Sequence, residues 1–304
     1  MGRRRRSSDL DGVLVLDKPA GPTSHDVVER VRRITGQARV GHTGTLDPPA
    51  TGVLVLCLGR ATKLVRFLQA GTKTYAARMA LGVQTTTQDA EGEVVGTADA
   101  SAVDERTLCE VLTRFQGEIE QVPPMVSAVK VGGERLHEKA RRGEEVDRAA
   151  RTVTVHDLML DAFEPGERAE ASFLITCSAG TYVRTLAHDV GTALGVGGSL
   201  LRLRRIANGP FTSDEAVTLE DLEAADDPRA RLLTPEEAVA RALPSVPVED
   251  PDLARRCSHG GRITAQDVDG WYALTYGARL LGIYRDQDGQ AVPELVWTRP
   301  EELS

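Results

Sequence analysis

The segment that most constrains this chain is residues 41–52, with the sequence GHTGTLDPPATG, which is followed directly by an apolar run at residues 53–58. Its three glycines can adopt backbone angles that other residues avoid. Pro48 and Pro49 fix their own φ angles and lack the N–H donor that a helix or a central strand needs. The segment is therefore predicted to be a stiff loop that leads into a buried strand.

One carboxylate, Asp47, lies in the middle of this loop. Leu46 is expected to turn inward, and Pro48 disfavours helical backbone at Asp47, so the carboxylate is held in a defined direction. Most loop aspartates only accept a hydrogen bond within a turn, which is the alternative interpretation. The twelve-residue loop is longer than the median connection of about 4–6 residues. A positioned nucleophile or general base is the favoured interpretation.

The hydrophobic pattern predicts a main domain of strands and helices followed by a small all-β domain. Predicted strands cover residues 12–16, 53–58, 72–81, 126–131, 151–163 and 171–177. Predicted helices cover residues 24–35, 61–68 and 101–119, and others begin after Gly180, at Thr218 and at Thr234. Pro244 and Pro247 mark the expected boundary. The resulting domains are a disordered basic tail at 1–10, a catalytic domain at 11–247 and a C-terminal β domain at 248–304.

Composition excludes several classes of protein. No apolar run approaches the length of a membrane span, and the run after the four N-terminal arginines is too short for a signal peptide. The four cysteines form no C-x-x-C pair, which is typical of reduced packing residues in a cytoplasmic protein. The six histidines show no ligand spacing, so no metal site is predicted.

Charge is distributed unevenly along the chain. Residues 211–304 contain 9 Lys and Arg against 19 Asp and Glu, whereas the whole chain has a net charge of −8. Nucleic-acid contacts depend on local patches, so this acidity argues only weakly against RNA binding. Residues 130–151 hold seven basic and five acidic side chains between glycines. This segment is either solvated surface or an arm that contacts phosphate.

Several other residues are candidates for the same site. Lys18 lies in a Gly/Pro-rich segment and is either solvated or supports the Asp47 cleft. Tyr75, on a predicted strand, is either a half-buried packing residue or a stacking platform. Arg184 falls in the first turn of a helix, where the macrodipole disfavours a cation, so it needs an acidic partner, for which Asp47 is one candidate. Asp89 lies in a polar loop at residues 84–92.

These segments together resemble the bacterial tRNA pseudouridine synthase B family over most of residues 11–212. The matching motifs are Asp17-Lys18-Pro19-Ala20-Gly21-Pro22-Thr23-Ser24, the loop at 41–52, Lys73-Thr74-Tyr75, Pro123-Pro124 with Ser127-Ala128-Lys130, Gly180-Thr181-Tyr182-Val183-Arg184 and Leu203-Arg204-Arg205. They occur in the order found in that family, which makes coincidence an unsatisfactory explanation.

The resemblance implies an α/β (α+β) catalytic domain with a mixed, mainly antiparallel sheet, followed by a PUA-like C-terminal domain. It also implies a uridine isomerase that acts at position 55 in the T loop of tRNA, without cofactor or metal. It implies that Asp47 is the nucleophile, Arg184 its ion-pair partner, and Tyr75 and Leu203 the floor and wall of the pocket. Tyr182 would contact the substrate, His42 would fill the place of the flipped base, and Lys18 would be the supporting lysine of the first motif. Lys18 and Asp89 complete the predicted substrate-binding set. Attack on C1′, addition to the uracil ring and removal of a sugar proton all need these residue types.

Two other functions remain open on the sequence alone. One is a tRNA-binding or tRNA-folding protein in which catalysis is secondary, as the PUA-like end and the basic arm would allow. The other is an RNA-guided relative that works in a ribonucleoprotein particle, although such relatives usually carry basic extensions. A cytoplasmic, monomeric enzyme that binds the T arm of tRNA, with no membrane and no obligatory protein partner, is the preferred interpretation.

Overall fold

The apolar runs form strands and the amphipathic runs form helices in the computed structural model, which describes residues 10–125, 130–131, 134–135, 142 and 146–303. The α-helices are α1 (Ser24–Thr35), α2 (Val65–Leu68), α3 (Glu105–Thr113), α4 (Val183–Ala193), α5 (Leu219–Ala224), α6 (Pro235–Ala242) and α7 (Pro251–Ser258). The strands are β1 (Gly12–Lys18), β2 (Val40–His42), β3 (Thr51–Leu58), β4 (Lys73–Leu81), β5 (Val83–Thr85), β6 (Val94–Thr97), β7 (Gly117–Gln121), β8 (Lys130–Val131), β9 (Glu134–Arg135), β10 (Arg151–Glu164), β11 (Glu170–Cys177), β12 (Gly198–Asn208), β13 (Phe211–Thr212), β14 (Ser245–Pro247), β15 (Ile263–Thr264), β16 (Trp271–Tyr276), β17 (Arg279–Gln287) and β18 (Gln290–Val296).

The main sheet has the strand order β1-β3-β12-β4-β11-β10-β7, with β2 on β3 and β13 on β12. Its pairings are antiparallel except for the short parallel contact between β3 and β12. This contact pairs Thr51 with Arg204 and Gly52 with Arg205. It therefore places the end of the Asp47 loop beside the middle of β12. The predicted fold class, a mixed and mainly antiparallel sheet with a small C-terminal β unit, is confirmed.

Residues 13–16 of β1 and 53–58 of β3 are apolar without interruption because both faces of this part of the sheet are covered. Leu14, Leu16 and Leu54 pack with α1 on one face. Val13 and Val55 pack on the other face against α6 and the C-terminal strands. The strict alternation expected of a half-exposed strand is consequently absent here, and the loop that leads into β3 rests on a fully buried element.

A second sheet, with the order β14-β16-β17-β18-β15, forms the C-terminal unit. Its residues Leu280, Ile283 and Trp297 belong to the same hydrophobic cluster as Val13 and Phe67. Phe67 meets Trp271 edge to face at 4.9 Å between ring centroids. The C-terminal sheet therefore shares a core with the rest of the chain.

The predicted helix at residues 101–119 is too long, because α3 ends at Thr113 and residues 117–121 form β7. Gly117 has a φ of 87°, which ends the helical course, and β7 pairs with β10. Helix α7 was not predicted, although Asp250 caps it and Pro251 occupies its first turn, which is a standard start signal. The predicted strand at 126–131 lies mostly outside the described residues.

The predicted domain limits stay predictions. The second sheet begins with β14, just before the expected boundary at residue 248. Buried Leu10 precedes β1, and the rest of the predicted basic tail lies outside the described residues.

Cys57, Cys177 and Cys257 are buried as expected of packing cysteines, but Cys109 is exposed on α3. No helix in the described ranges is long and apolar enough to cross a membrane.

Candidate active site

A cavity of about 270 Å³ opens where the Asp47 loop, β4, β12 and the start of α4 meet. Six of the eight predicted site residues line it, namely Asp47, Tyr75, Asp89, Tyr182, Arg184 and Leu203. They come from distant parts of the chain, so the agreement depends on the tertiary fold. Of the other two, Lys18 lies behind the Asp47 loop and His42 lies on β2.

The loop is anchored on both sides of Asp47. The Ser24 hydroxyl donates to the Leu46 carbonyl and accepts from the Leu46 N–H, both at 2.9 Å. The Leu46 side chain is 3% exposed, as the sequence predicts. The Gly21 N–H donates to the Pro48 carbonyl at 2.8 Å. These contacts fix the backbone on both sides of Asp47 and leave its side chain facing the cavity.

Lys18 supports the loop from below. It is fully buried, and its ammonium donates to the carbonyls of Pro19, Pro48 and Ala50 at 2.9, 3.1 and 2.8 Å. Burial lowers the pKa of Lys18 to about 8, with Asp47 opposing the shift and Arg205 adding to it. All three ammonium donors are used within the protein, which fits a supporting role and leaves none for a substrate contact.

Arg184 joins two carboxylates. Its Nη2 lies 2.9 Å from Oδ2 of Asp47, and its Nη1 lies 3.2 Å from Oδ2 of Asp89. The Arg184 side chain is 5% exposed, so this cation is held in a fixed place in the first turn of α4. The acidic partner that the sequence requires is therefore present, and Asp89 is a second one. Asp89 also accepts hydrogen bonds from Thr87 and from the Glu91 N–H.

The pKa of Asp47 is raised from the usual carboxyl value, chiefly because the cavity walls remove water from the carboxylate. The charge of Arg184 lowers this pKa, that of Asp89 raises it, and that of Lys18 lowers it. The net shift is upward because desolvation outweighs the ion pair with Arg184. The side chain is still 43% exposed towards the cavity mouth, so the carboxylate can be reached.

Tyr75 and Leu203 lie on neighbouring strands of the main sheet, β4 and β12, and both line the cavity. Tyr75 is 7% exposed, so it is more deeply buried than the half-buried residue that its strand pattern predicts. Burial raises the pKa of its hydroxyl, which the neighbouring Arg205 partly opposes. Tyr182 precedes α4, where its N–H donates to the side chain of buried Gln121 at 3.0 Å. The two tyrosines give the cavity aromatic surface.

His42 ends β2 and is not part of the cavity lining. Its Nδ1 accepts a hydrogen bond from the Gly44 N–H at 3.3 Å. Burial lowers the pKa of His42, and the charges of Arg205 and His25 lower it further. The imidazole is therefore neutral at neutral pH, with its proton on Nε2.

Two buried cationic residues of the cavity wall were not predicted as site residues. Arg205 is 1% exposed, and it donates to the carbonyls of Val53 at 2.6 Å and Gly44 at 3.1 Å. Lys73 donates to the carbonyls of Gln69 and Gly71, and burial lowers its pKa to about 8. Their sequence signal was weak, since lysines and arginines on strands are usually solvent-exposed. Within the described residues, no group of three or more His, Cys, Asp or Glu could hold a metal ion.

Comparison with known proteins agrees with this geometry. Residues 32–183 match the family described as TruB family pseudouridylate synthase (N terminal domain), and residues 184–240 match the tRNA pseudouridylate synthase B C-terminal domain. The tRNA pseudouridine synthase B of Symbiobacterium thermophilum is 52% identical over 84% of this chain and 83% of its own length. That of Thermobifida fusca is 44% identical over 94% of this chain and 98% of its own length.

Solved structures support the same relationship. The chain is similar to one in a Cbf5-Nop10-Gar1 complex, with a TM-score of 0.75 and 28% identity over 96% of this chain and 86% of that chain. It is also similar to a chain of an H/ACA RNP bound to a substrate RNA containing 2′-deoxyuridine, with a TM-score of 0.73 and 26% identity over 96% of this chain and 88% of that chain. By sequence and by fold, the chain belongs to the TruB family of pseudouridylate synthases.

Proposed function

We propose that this chain isomerises uridine to pseudouridine in tRNA, that the target is position 55 in the T loop, and that Asp47 is the nucleophile. The proposal rests on one observation: the Asp47 carboxylate is accessible to a substrate at the cavity mouth and forms an ion pair with buried Arg184. Family membership supports the reaction. The position in tRNA and the role of Asp47 rest on the site and on the resemblance of the motifs.

The reaction sets modest chemical demands. The bond from N1 of uracil to C1′ breaks, a bond from C5 to C1′ forms, C5 loses its hydrogen as a proton, and N1 ends with a proton. No electrons are gained or lost, so a carboxylate next to the sugar and the pyrimidine is the minimum requirement. A carboxylate with a raised pKa is also more basic and more nucleophilic than an ordinary one. The pKa of Asp47 is raised in this sense.

The other residues take roles that follow from their positions. The target base is stacked inside a folded loop and has to leave the stack before it can react. Tyr75 stacks on the extruded uracil, Leu203 closes the other wall, and Tyr182 contacts the nucleotide at the rim. Neutral His42, outside the cavity, fills the place that the base leaves.

Three charged residues keep Asp47 in position. Arg184 holds the Asp47 carboxylate through Nη2. Asp89 pairs with Nη1 of Arg184 and so orients the guanidinium. Lys18 holds the loop through the carbonyls of Pro48 and Ala50. Asp89 and Lys18 therefore act through other residues, which differs from the substrate contact expected from the sequence.

The direct test uses purified protein and an unmodified tRNA transcript labelled with tritium at C5 of uridine. We expect tritium release that depends on the uridine at position 55 and disappears when that uridine is replaced by cytidine. Release from a transcript without that uridine would contradict the assignment of the position. A wild-type protein that releases no tritium from correctly folded tRNA would reject the proposed reaction.

An RNA-guided activity is the second candidate, because a chain of a Cbf5-Nop10-Gar1 complex and a chain of an H/ACA RNP bound to a substrate RNA share this fold at TM-scores of 0.75 and 0.73. The same assay separates the two functions, since the tRNA transcript is the only RNA present. Turnover without guide RNA or protein partner supports a monomeric stand-alone enzyme that binds the T arm. Turnover that appears only after a guide RNA is added would favour the alternative.

A further inference from the structure

Gln88, which directly precedes Asp89, has a backbone conformation that glutamine seldom adopts. Its φ is 65°, in the left-handed region that favours glycine. The other non-glycine residues with positive φ among the described residues are Asp267 and Asp288, and short polar side chains tolerate this region better. A longer side chain stays in such a conformation only where surrounding contacts enforce it, and these conformations cluster at functional sites. The contacts of Gln88 therefore show what holds it there.

Three elements of the fold hold Gln88. It belongs to the Asp89 loop, residues 86–93, which joins β5 to β6. Its N–H donates to the carbonyl of Thr85 at the end of β5 at 3.2 Å, and its carbonyl accepts from the N–H of Leu200 on β12 at 3.0 Å. Its side-chain Oε1 accepts from the hydroxyl of Thr185 on α4 at 2.9 Å. Only this last contact needs the side chain, so it is the contact that favours glutamine over glycine at this position.

Two consecutive residues of the Asp89 loop contact two consecutive residues of α4. Asp89 pairs with Arg184, and Gln88 accepts from Thr185, which is buried. Both helix residues lie in the first turn of α4. Neighbouring side chains leave a helix roughly 100° apart, so the two contacts hold the loop from different directions. The ion pair alone would let the loop pivot about the arginine, whereas the second contact removes that freedom.

We propose that Gln88 and Thr185 are positioning residues whose hydrogen bond fixes the Asp89 loop to α4. Held there, Asp89 keeps Arg184 directed at Asp47. This inference rests on the proposed function, because it assigns the pair to the carboxylate that carries out the reaction. Neither Gln88 nor Thr185 lines the cavity, so both act on the reaction indirectly, through the ion pair. Loss of their bond should therefore slow the reaction of bound substrate and leave substrate affinity unchanged.

The test removes the hydrogen bond from either side. Thr185→Val replaces the hydroxyl with a methyl group, Thr185→Ser keeps the hydroxyl, and Gln88→Ala removes the acceptor. Thr192→Val is the matched control, because Thr192 lies further along α4 and its hydroxyl donates to the carbonyl of His188. Titration with the tRNA transcript measures affinity, and tritium release at saturating tRNA measures the single-turnover rate. Urea unfolding shows that each variant is folded.

We expect Thr185→Val and Gln88→Ala each to lower the single-turnover rate roughly twofold to tenfold, as for the loss of one hydrogen bond. Thr185→Ser should recover most of the wild-type rate, because its hydroxyl still reaches Gln88. Affinity for tRNA should be unchanged in these variants, and Thr192→Val should behave as wild type. Gln88 is partly exposed, so Gln88→Ala carries the test if Thr185→Val does not fold.

The same changes in an Asp89→Asn background show whether the bond acts through Asp89. There, Thr185→Val or Gln88→Ala should lower the rate no further, because the ion pair that the bond positions is already lost, and effects within one network are not additive. The inference is overturned by wild-type rates for both variants, by an equal loss in the two backgrounds, or by a loss in Thr185→Ser equal to that in Thr185→Val. Tritium release by wild type in the same experiment shows that such a result concerns only this bond, whereas no release by wild type would reject the proposed reaction itself.

Discussion

Replacing Gly52 with alanine tests how the Asp47 loop is fixed to the sheet. Gly52 has a φ of 99°, and a Cβ atom built there would lie 2.1 Å from the carbonyl oxygen of Arg205 and 2.8 Å from its nitrogen. Both atoms belong to the backbone of β12, so no side chain can move aside. The substitution must push β3 and β12 apart at the point where they pair.

Gly117→Ala supplies the control, because Gly117 has a similar φ of 87° but nothing within 4 Å of its would-be Cβ. It measures the conformational strain alone, about 1–2 kcal/mol, less the roughly 0.4–1 kcal/mol that alanine gains by restricting the unfolded chain. Gly52→Ala adds the clash, which in packed interiors costs about 1–3 kcal/mol. We therefore expect a loss of about 2–4 kcal/mol for Gly52→Ala and about 1 kcal/mol or less for Gly117→Ala.

The two variants are compared by urea unfolding at 25 °C and by tritium release at saturating tRNA. Arg205 holds the Gly44 carbonyl, so a displaced β12 should also displace the Asp47 loop and lower the turnover of folded Gly52→Ala. Turnover of Gly117→Ala should stay at the wild-type level. Equal stabilities for the two variants, or full turnover by Gly52→Ala, would refute the claim that this close contact positions Asp47.

Three further outcomes follow from the site and the shared core. Asp89→Asn removes a charge that raises the pKa of Asp47, so the acidic limb of the pH profile of kcat/KM should move to lower pH. A limb that stays in place or moves to higher pH would contradict this. Tyr75→Ala should lose roughly 1–3 kcal/mol of tRNA affinity while Tyr75→Phe binds almost normally, and equal affinities for Tyr75→Ala and wild type would make the residue merely structural. Trp297→Ala should cost about 3–5 kcal/mol and lower a single unfolding transition of the whole chain, because Trp297 is 5% exposed in the shared core; a separate early transition of the C-terminal sheet would argue against that core.

Much of the fold follows from local patterns. The Gly/Pro-rich loop, the long apolar runs and the capped start of α1 can be read from the sequence because each depends on neighbouring residues. The end of α3 was missed because the apolar spacing continues past Thr113, whereas the backbone turns at Gly117. The shared core between the two sheets could not be predicted either, since nothing local shows which face of β1 the C-terminal strands cover.

The site was predictable in its residues and less so in its energetics. Arg184 needs an acidic partner because it lies at the start of a helix, and Asp47 is that partner. The sign of the Asp47 pKa shift depends on how much water the cavity excludes, which no motif encodes. The burial of Lys18 is equally hidden, because a lysine beside Gly and Pro normally indicates a solvated turn.

Asp47→Asn tests the central claim most directly. The substitution keeps the size of the side chain and its preference for turns, but it removes the negative charge and the nucleophile. With C5-tritiated tRNA, we expect no detectable tritium release, together with wild-type folding and tRNA binding at least as tight as wild type, since one charge facing a polyanion is gone. Tritium release by Asp47→Asn at the wild-type rate would show that this carboxylate does not carry out the reaction.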